Sequence, residues 1–597
     1  MREFRYNVST HTSPIGAVDD NSYITYTFEV AQNVYASKVF FVFNPDGSFR
    51  SQKIEMKFVG FCEGYKQYQV SVKYPSVGLF WYHFVVDGRE SILIQRKGEL
   101  DELEVAPKST NGFPQVVIDD VNLSKRKPIG GIIYHIFVDR FNRVGKVKSR
   151  DGMILKENWS DPLIDTTDYE IINKECYGGN LKGIIEKLDY LKSLNVSIIY
   201  LSPIFYAESN HKYNTADFKK IDPMFGSKKD LQELIDKAKE LGIQVILDGV
   251  FNHVGSDSVY FNKYGKFDEV GAYQSTESKY YNWFNFYEHP DKYECWWDIK
   301  SLPCINELNP EYKELICGKS GIIESYMKMG LGGFRLDVVD ELGDDLLSSI
   351  CKKIYKCKKD ALIVGEVWED ASTKIAYGNR RKYFLGEQLN SVTNYPLKNA
   401  IMNYLRTGDG GDYYKTFKMI EQRYPFFVQN NLMNIVGTHD TSRLANEILS
   451  INCEKRIELT KIATLLQYVF IGIPTVFYGD EIGLTNIKDG NSRAPYPWGS
   501  ENDELLNWYK MLGELRSLRP VISGGITVEI PRDGVVVVKR QQGRESVVAI
   551  TNLSSESYTI ECEKIYSELL TKEKSKGKSF TIEPFCLKVI GKISKTK

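Results

Sequence analysis

Between residues 132 and 481 the chain repeats one unit, an apolar run of strand length without polar alternation, followed by an amphipathic stretch. The runs IIYHIFVD (132–139), VSIIYLSP (196–203), IQVILDGV (243–250), GGFRLDVV (332–339), ALIVGEVW (361–368), LMNIVGTHD (432–440) and IPTVFYGDE (473–481) are clear, and a weaker one, LNSVTNY (389–395), makes eight. Strands that are apolar on both faces must be covered on both faces, and a parallel sheet flanked by helices does this. In 181–194 and 228–241, Ile184, Ile185, Leu188 and Leu191, and then Leu231, Leu234, Ile235 and Ala238, recur at the spacing of a helix with one buried stripe. Eight such units predict a (β/α)8 barrel enlarged by insertions. An open doubly wound sheet competes, but no glycine-rich phosphate loop follows the first strand.

A chain of 597 residues exceeds what one core supports. Upstream, SYITYTFEV, SKVFFVFNPDG, KQYQVSVKY and LFWYHFVVDG are short strands broken by turns, and 1–122 reads as an immunoglobulin-like β-sandwich of the carbohydrate-binding-module kind. The basic stretch 124–128 reads as a linker to a barrel domain over 129–521. The tract 254–309, rich in Tyr, Phe and Trp, reads as a small inserted domain (domain B) leaving the third strand. From 522 to 597 the β pattern returns in ITVEI, VVVVKRQ, SVVAITN and FTIEPFCLKVI, predicting a C-terminal β-sandwich, with 572–578 an exposed loop. The fold class expected is α/β, a TIM barrel with an inserted domain and a β domain at each end.

Lys plus Arg (77) cancels Asp plus Glu (78), so no net field draws nucleic acid or an anionic membrane. The first ten residues lack the apolar core of a secretory signal, and no uninterrupted apolar run reaches spanning length, which leads to the expectation of a cytoplasmic protein. Ten scattered cysteines without C-x-x-C or metal-ligand spacing read as reduced thiols. No metal or other cofactor is expected.

Near the C-terminal ends of the strands the polar residues gather: Asp139, Asp248, Arg335 with Asp337, Glu366, His439 with Asp440, and Asp480 with Glu481. Barrel enzymes carry their reacting groups at that face. Arg335 and Asp337 lie two apart on a strand and point the same way, so the guanidinium is expected to keep Asp337 ionised, as a nucleophile requires. Glu366 ends the apolar run LIVG, where desolvation is expected to make it a general acid. Two carboxyls pushed in opposite directions are the machinery of glycoside cleavage. Asp440 would stabilise a cationic transition state. His211, His253 and His439, three of only seven histidines, lie in the same loops and suit a polar substrate.

The ordered set DGVFNH (248–253), GFRLD (333–337), GEVW (365–368) and GTHD (437–440) resembles the four signature regions of the α-amylase family. YHIFVDRF (134–141), YGGNLKGI (177–184), HKYNTADF (211–218), IDPMFG (221–226) and GIPTVFYGDEIG (472–483) extend the likeness over 130–520. It implies a retaining double displacement with Asp337 as nucleophile, Glu366 as acid/base and Asp440 as transition-state stabiliser. It also implies substrate binding by Arg335, His253, His439, His211, Tyr213 (stacked under the sugar ring) and Asp248, with Asn252 holding the third-strand loop. In many relatives the position of Asn252 ligates calcium, but the usual partner carboxylates are not identifiable here. A narrower likeness, to the neopullulanase, cyclomaltodextrinase and maltogenic amylase branch, rests on the N-terminal sandwich, LPCIN (302–306), NYPL (394–397) and SRAPYPW (492–498). It implies α-1,4, and also α-1,6, cleavage of maltodextrins, pullulan, cyclodextrins or starch, and a homodimer through the N-terminal domain. Asn214, Asp340 and Glu369 depart from the usual Asp, Asn and His, which leaves the preference among these glucans open. Trp368 fits either a leaving-group sugar or loop packing. Trp296 and Trp297 are expected in the core of the inserted tract. An α-glucanotransferase and a non-catalytic glucan-binding barrel are the alternatives.

Overall fold

The computed structural model describes residues 3–98, 102–119, 129–150, 152–485, 492–570 and 575–594; the linker expected at 124–128 lies outside them. The chain forms two compact units. One comprises Met1–Pro128, Glu369–Asn390 and Gly411–Asn430, the other Ile129–Trp368, Ser391–Gly410 and Asn431–Lys597.

In the first unit a five-stranded and a seven-stranded sheet face each other across an aromatic core. Strict alternation in Ile24–Ala31 sends Ile24, Tyr26, Phe28 and Val30 inward. Tyr26 stacks on Phe41 at 4.4 Å and Phe28 on Phe84 at 4.3 Å, each pair joining one sheet to the other and adding roughly 0.5–1.5 kcal/mol beyond burial. Arg380 binds Asp46 with Nε and Nη2 at 2.9 and 3.0 Å, and the Trp81 indole N–H donates to the same carboxylate at 2.7 Å.

The second unit contains the barrel. Its strands are β1 (Ile133–Ile136), β2 (Ile198–Leu201), β3 (Gln244–Gly249), β4 (Gly333–Leu336), β5 (Leu362–Gly365), β6 (Ser391–Val392), β7 (Met433–Asn434) and β8 (Ile473–Phe477). They pair in parallel in the order β6-β5-β4-β3-β2-β1-β8-β7, and a parallel bridge between Thr393 and Met433 closes the ring. Ile133, Ile198, Tyr200, Ile246, Leu362, Val364, Ile435 and Ile473 share one core. This is why the runs carry no polar alternation: each strand has side chains packed on both faces. All eight expected runs appear as strands, shorter than drawn.

The helix expected at 181–194 is two, α1 (Leu181–Glu186) and α2 (Leu188–Ser193). Between them Lys187 leaves helical geometry at φ −100° and ψ 10°, its N–H bonding Ile184 three residues back. The helix α3 (Lys228–Glu240) starts on a capping box of Ser227 and Asp230 and buries Leu231, Leu234, Ile235 and Ala238, the predicted stripe. Each large member of that stripe contributes about 1.5–3 kcal/mol by leaving water.

The inserted tract leaves between β3 and β4 and holds little regular structure besides the short hairpin of Phe286–Glu288 and Lys292–Tyr293. Trp296 and Trp297 are not its core: Trp297 is 72% exposed and Trp296 half-buried, because a left-handed turn at Trp297 and Asp298 turns the pair outward. The chain ends in one continuous six-stranded antiparallel sheet over Gly525–Lys592. Lys576–Lys578, expected in a loop, open its strand Lys576–Ile582, paired with Tyr558–Glu568, while 572–574 are outside the described residues. Among the described residues no helix is long and apolar enough to cross a membrane.

Candidate active site

Parallel register builds the site. Asp248 on β3 pairs with Arg335 on β4, and Leu336 pairs with Gly365 on β5, so Asp337 and Glu366, the next residues along, emerge side by side. Their backbones are pinned by the amide of Asp337 on the Gly249 carbonyl and that of Glu366 on the Leu336 carbonyl, both at 3.1 Å.

One buried guanidinium serves three carboxyls. Nη1 of Arg335 lies 2.9 and 3.0 Å from the Asp248 oxygens and 2.6 Å from Oδ1 of Asp337, and Nη2 lies 2.9 Å from Oε2 of Glu366. Arg335 acts on Asp337 in the expected direction, but the net direction is the reverse of that expected. Burial pushes the Asp337 carboxyl well above its ordinary value; Arg335 pulls it down, but the Glu366 and Asp248 charges add to the rise. Asp248 is likewise raised by burial. A single cation cannot neutralise three carboxylates out of water, so the cluster favours keeping a proton. Nor does Glu366 sit in apolar surroundings: besides Arg335, its Oε2 accepts the Val338 amide at 2.8 Å, and its Oε1 faces the Trp368 indole N–H at 3.3 Å.

A second layer joins this cluster to the β7 loop. The Tyr213 hydroxyl donates to Asp248 at 2.9 Å and lies 2.6 Å from Nε2 of His439, and the two rings stack at 5.2 Å within 4° of parallel. With the phenol proton on Asp248, Nε2 of His439 carries a hydrogen, and its Nδ1 is buried without a hydrogen-bond partner among the described residues. His211 also stacks on Tyr213 at 5.8 Å, and its Nδ1 accepts the Tyr213 amide at 3.0 Å. Burial lowers His439 and His211 well below the usual imidazole value and His253 to about 4, so all three are neutral near pH 7 and suited to hydroxyl groups rather than anions. Asp440 lies 3.1 Å from Nε2 of His439 and 3.9 Å from Arg493. Burial raises its carboxyl, with Arg493 and then Arg335 opposing. His253 stacks on Trp296 at 5.5 Å. Trp368 is 44% exposed and lies on Tyr395 at 3.8 Å, so it packs within its loop while remaining partly open to solvent.

Three strand-end acids do not join. Asp139 is taken by Arg140 at 2.7 Å and by the amides of Tyr177 and Gly178, Asp480 by Arg443 at 3.3 Å, and Glu481 by the hydroxyls of Tyr134 and Tyr190 at 2.6 and 2.8 Å. Four residues escape the sequence reading. Tyr200 donates to Asp248, Arg493 faces Asp440, Tyr395 supports Trp368, and Val338 donates its amide to Glu366. Arg493, inside SRAPYPW, and Tyr395, inside NYPL, sit in motifs that could have flagged them.

Calcium does not fit the place where relatives hold it. The side chain of Asn252 faces Nδ1 of His253 at 3.3 Å, the thiol of Cys304 at 3.9 Å and the Glu341 carbonyl at 3.5 Å. Among the described residues no three His, Cys, Asp or Glu side chains gather as ligands. A thiol and an imidazole are a poor donor set for a cation that prefers six to eight oxygens.

The α-amylase catalytic-domain family matches residues 135–512, which span every strand and side chain of this cluster. The chain belongs to the α-amylase family. Among curated members it is 30% identical to a cyclomaltodextrinase of Thermoanaerobacter pseudethanolicus, over 83% of each chain. It is 31% identical to a maltogenic alpha-amylase of Bacillus acidopullulyticus, over 86% of this chain and 84% of that one. Amylopullulanase of Thermoanaerobacterium saccharolyticum is 33% identical over 77% of this chain, but the match spans only 40% of that longer protein, and 28% and 35% of two further amylopullulanases. Of solved structures, the type III pullulan hydrolase from Thermococcus kodakarensis superposes with a TM-score of 0.69 at 26% identity, over 99% of this α-amylase-family chain and 100% of the other.

Proposed function

We propose that the protein is a retaining α-glucan hydrolase, and that residues 1–122, 129–521 (with 254–309 inserted) and 522–597 serve it as β-sandwich, catalytic barrel and C-terminal β domain. The observation that carries this reading is Asp337 and Glu366 leaning on adjacent nitrogens of one arginine. That arrangement favours the short carboxyl separation of retaining pairs, about 5–5.5 Å rather than the ~6.5–9.5 Å of inverting ones. The Asp337 carboxylate attacks the anomeric carbon as Glu366 gives its proton to the departing glycosidic oxygen. Water, deprotonated by Glu366, then releases the sugar from Asp337. Arg335 balances the charge moving between the two, and Asp440 faces the cationic ring. His439, His211, His253 and Asp248 hold sugar hydroxyls, Tyr213 stacks under the sugar ring, and Trp368 offers an apolar face to the leaving group.

The substrates proposed are α-1,4-linked maltodextrins, cyclodextrins, starch or pullulan, with α-1,6 links as a second target. The names of the relatives support this range, since they include a cyclomaltodextrinase, a maltogenic amylase and amylopullulanases. Proton NMR of the first product should show the α-anomer; the β-anomer would exclude the glycosyl-Asp337 step. A product profile on pullulan, cyclodextrin, starch and maltotriose orders the substrates: panose from pullulan marks a neopullulanase, and ring opening without pullulan cleavage a cyclomaltodextrinase. A homodimer through the N-terminal sandwich belongs to the same reading. The strand Lys57–Cys62, at the end of its sheet, exposes Phe58 and Phe61, and a monomer mass in sedimentation would refute the dimer.

A further inference from the structure

Among the described residues ten non-glycine positions have positive φ, and Val338 is the one β-branched member, at φ 37° and ψ 50°. A β-branched residue tolerates the left-handed region least, and such strain persists where surrounding bonds over-determine it. Both polar groups of Val338 are engaged. Its N–H donates to Oε2 of Glu366 at 2.8 Å, and its carbonyl accepts the Glu341 amide at 2.8 Å as the chain enters the turn Val339–Glu341. The preceding residue, Asp337, is tied to Gly249. The left-handed step turns the chain straight after the end of β4 and aims one amide across at the end of β5.

Resting on the functional reading above, we propose that the Val338 backbone amide is a positioning donor for Glu366 and fixes which of its oxygens exchanges the proton. Oε2 is filled by two donors, the Val338 N–H and Arg335 Nη2. Among the described residues Oε1 has only the long contact to Trp368. The proton therefore resides on Oε1 and passes from it to the glycosidic oxygen as the C–O bond breaks; in the second half, Oε1 takes a proton from the attacking water. Val338 touches no reacting atom and acts through Glu366 alone. The cost of its backbone geometry is the cost of bringing the amide to bear.

The test replaces the Val338 N–H in the full-length protein with an ester oxygen, which keeps the side chain and removes only the donor. On maltodextrin kcat should fall about tenfold or more at unchanged KM, and the alkaline limb of the pH–rate profile should move. Val338→Gly, which keeps the amide and accepts the left-handed turn, should recover most of that loss. An ester protein with wild-type kcat and pH profile overturns the proposal, and so does one that only melts earlier. A Val338→Gly loss equal to that of the ester also overturns it, by assigning the effect to the side chain. Wild-type protein inactive on every α-glucan would instead overturn the functional reading, and the proposal with it.

Discussion

At the ends of β3, β4 and β5 three carboxyls lean on one arginine; at the ends of β1 and β8 three acids each have donors of their own. Both sets follow apolar strands, and both are buried. They differ in the sharing of one cation and, for two of the three, in access to solvent: the side chains of Asp337 and Glu366 keep 8% and 7% of their exposure, against 0% for Asp139 and 1% for Asp480, while Asp248 is as enclosed as these at 0%. The contrast leads us to expect substitution of Asp139, Asp480 or Glu481 to be felt in stability, and substitution of Asp337 or Glu366 to be felt in activity.

The comparison breaks if the two sets respond alike to substitution. Asp337→Asn should lower kcat on maltodextrin about 10⁴-fold or more with folding intact, and Glu366→Gln about 10²–10⁴-fold, the latter largely rescued by α-glucosyl fluoride, whose leaving group needs no proton. Asp480 should show itself in stability instead. Burial raises it from 3.8 to about 7, so between those values the folded chain holds a proton that the unfolded chain releases. Stability then falls as pH rises through that window, by up to ~1.4 kcal/mol per pH unit. Urea titrations at pH 5 and pH 7 should show a slope in the wild type that becomes shallower in Asp480→Asn, whose kcat stays near wild type; a catalytic loss as large as that of Asp337→Asn would erase the distinction. The smallest effect sharpens the edge of the site: Trp368→Ala should raise KM about 2- to 10-fold, the worth of one stacked face at ~0.5–1.5 kcal/mol, and unchanged KM would leave Trp368 a packing residue on Tyr395.

The strands were legible because burial on both faces writes itself into consecutive residues, and α3 because its stripe and its cap are local. The residues of the site were legible as strand-end outliers, but their electrostatics were not. Arg335 beside Asp337 is a local fact; Asp248 and Glu366 beside Arg335 depend on the register of three strands distant in sequence. Burial above all, with the neighbouring charges that this register adds, reverses the direction expected for Asp337. Tyr200 looked like one more apolar strand residue, and no pattern marks the backbone of Val338. Trp296 and Trp297 were misplaced because hydrophobicity alone cannot tell a core from an outward-turned pair.

The ring of strands closes through the two-residue β6 and β7 and the single bridge from Thr393 to Met433, reinforced by the Asn394 amide on the Met433 carbonyl and by its side chain on Asn434, both at 2.9 Å. The barrel is thus sewn firmly around most of its circumference and basted along one seam. Asp248, Asp337 and Glu366 ride on the firm arc, and Asp440 rides just past the seam. Sparse pairing leads us to expect the earliest backbone hydrogen exchange along the β6–β7 seam that precedes Asp440, and the latest in the strands that carry Asp337 and Glu366.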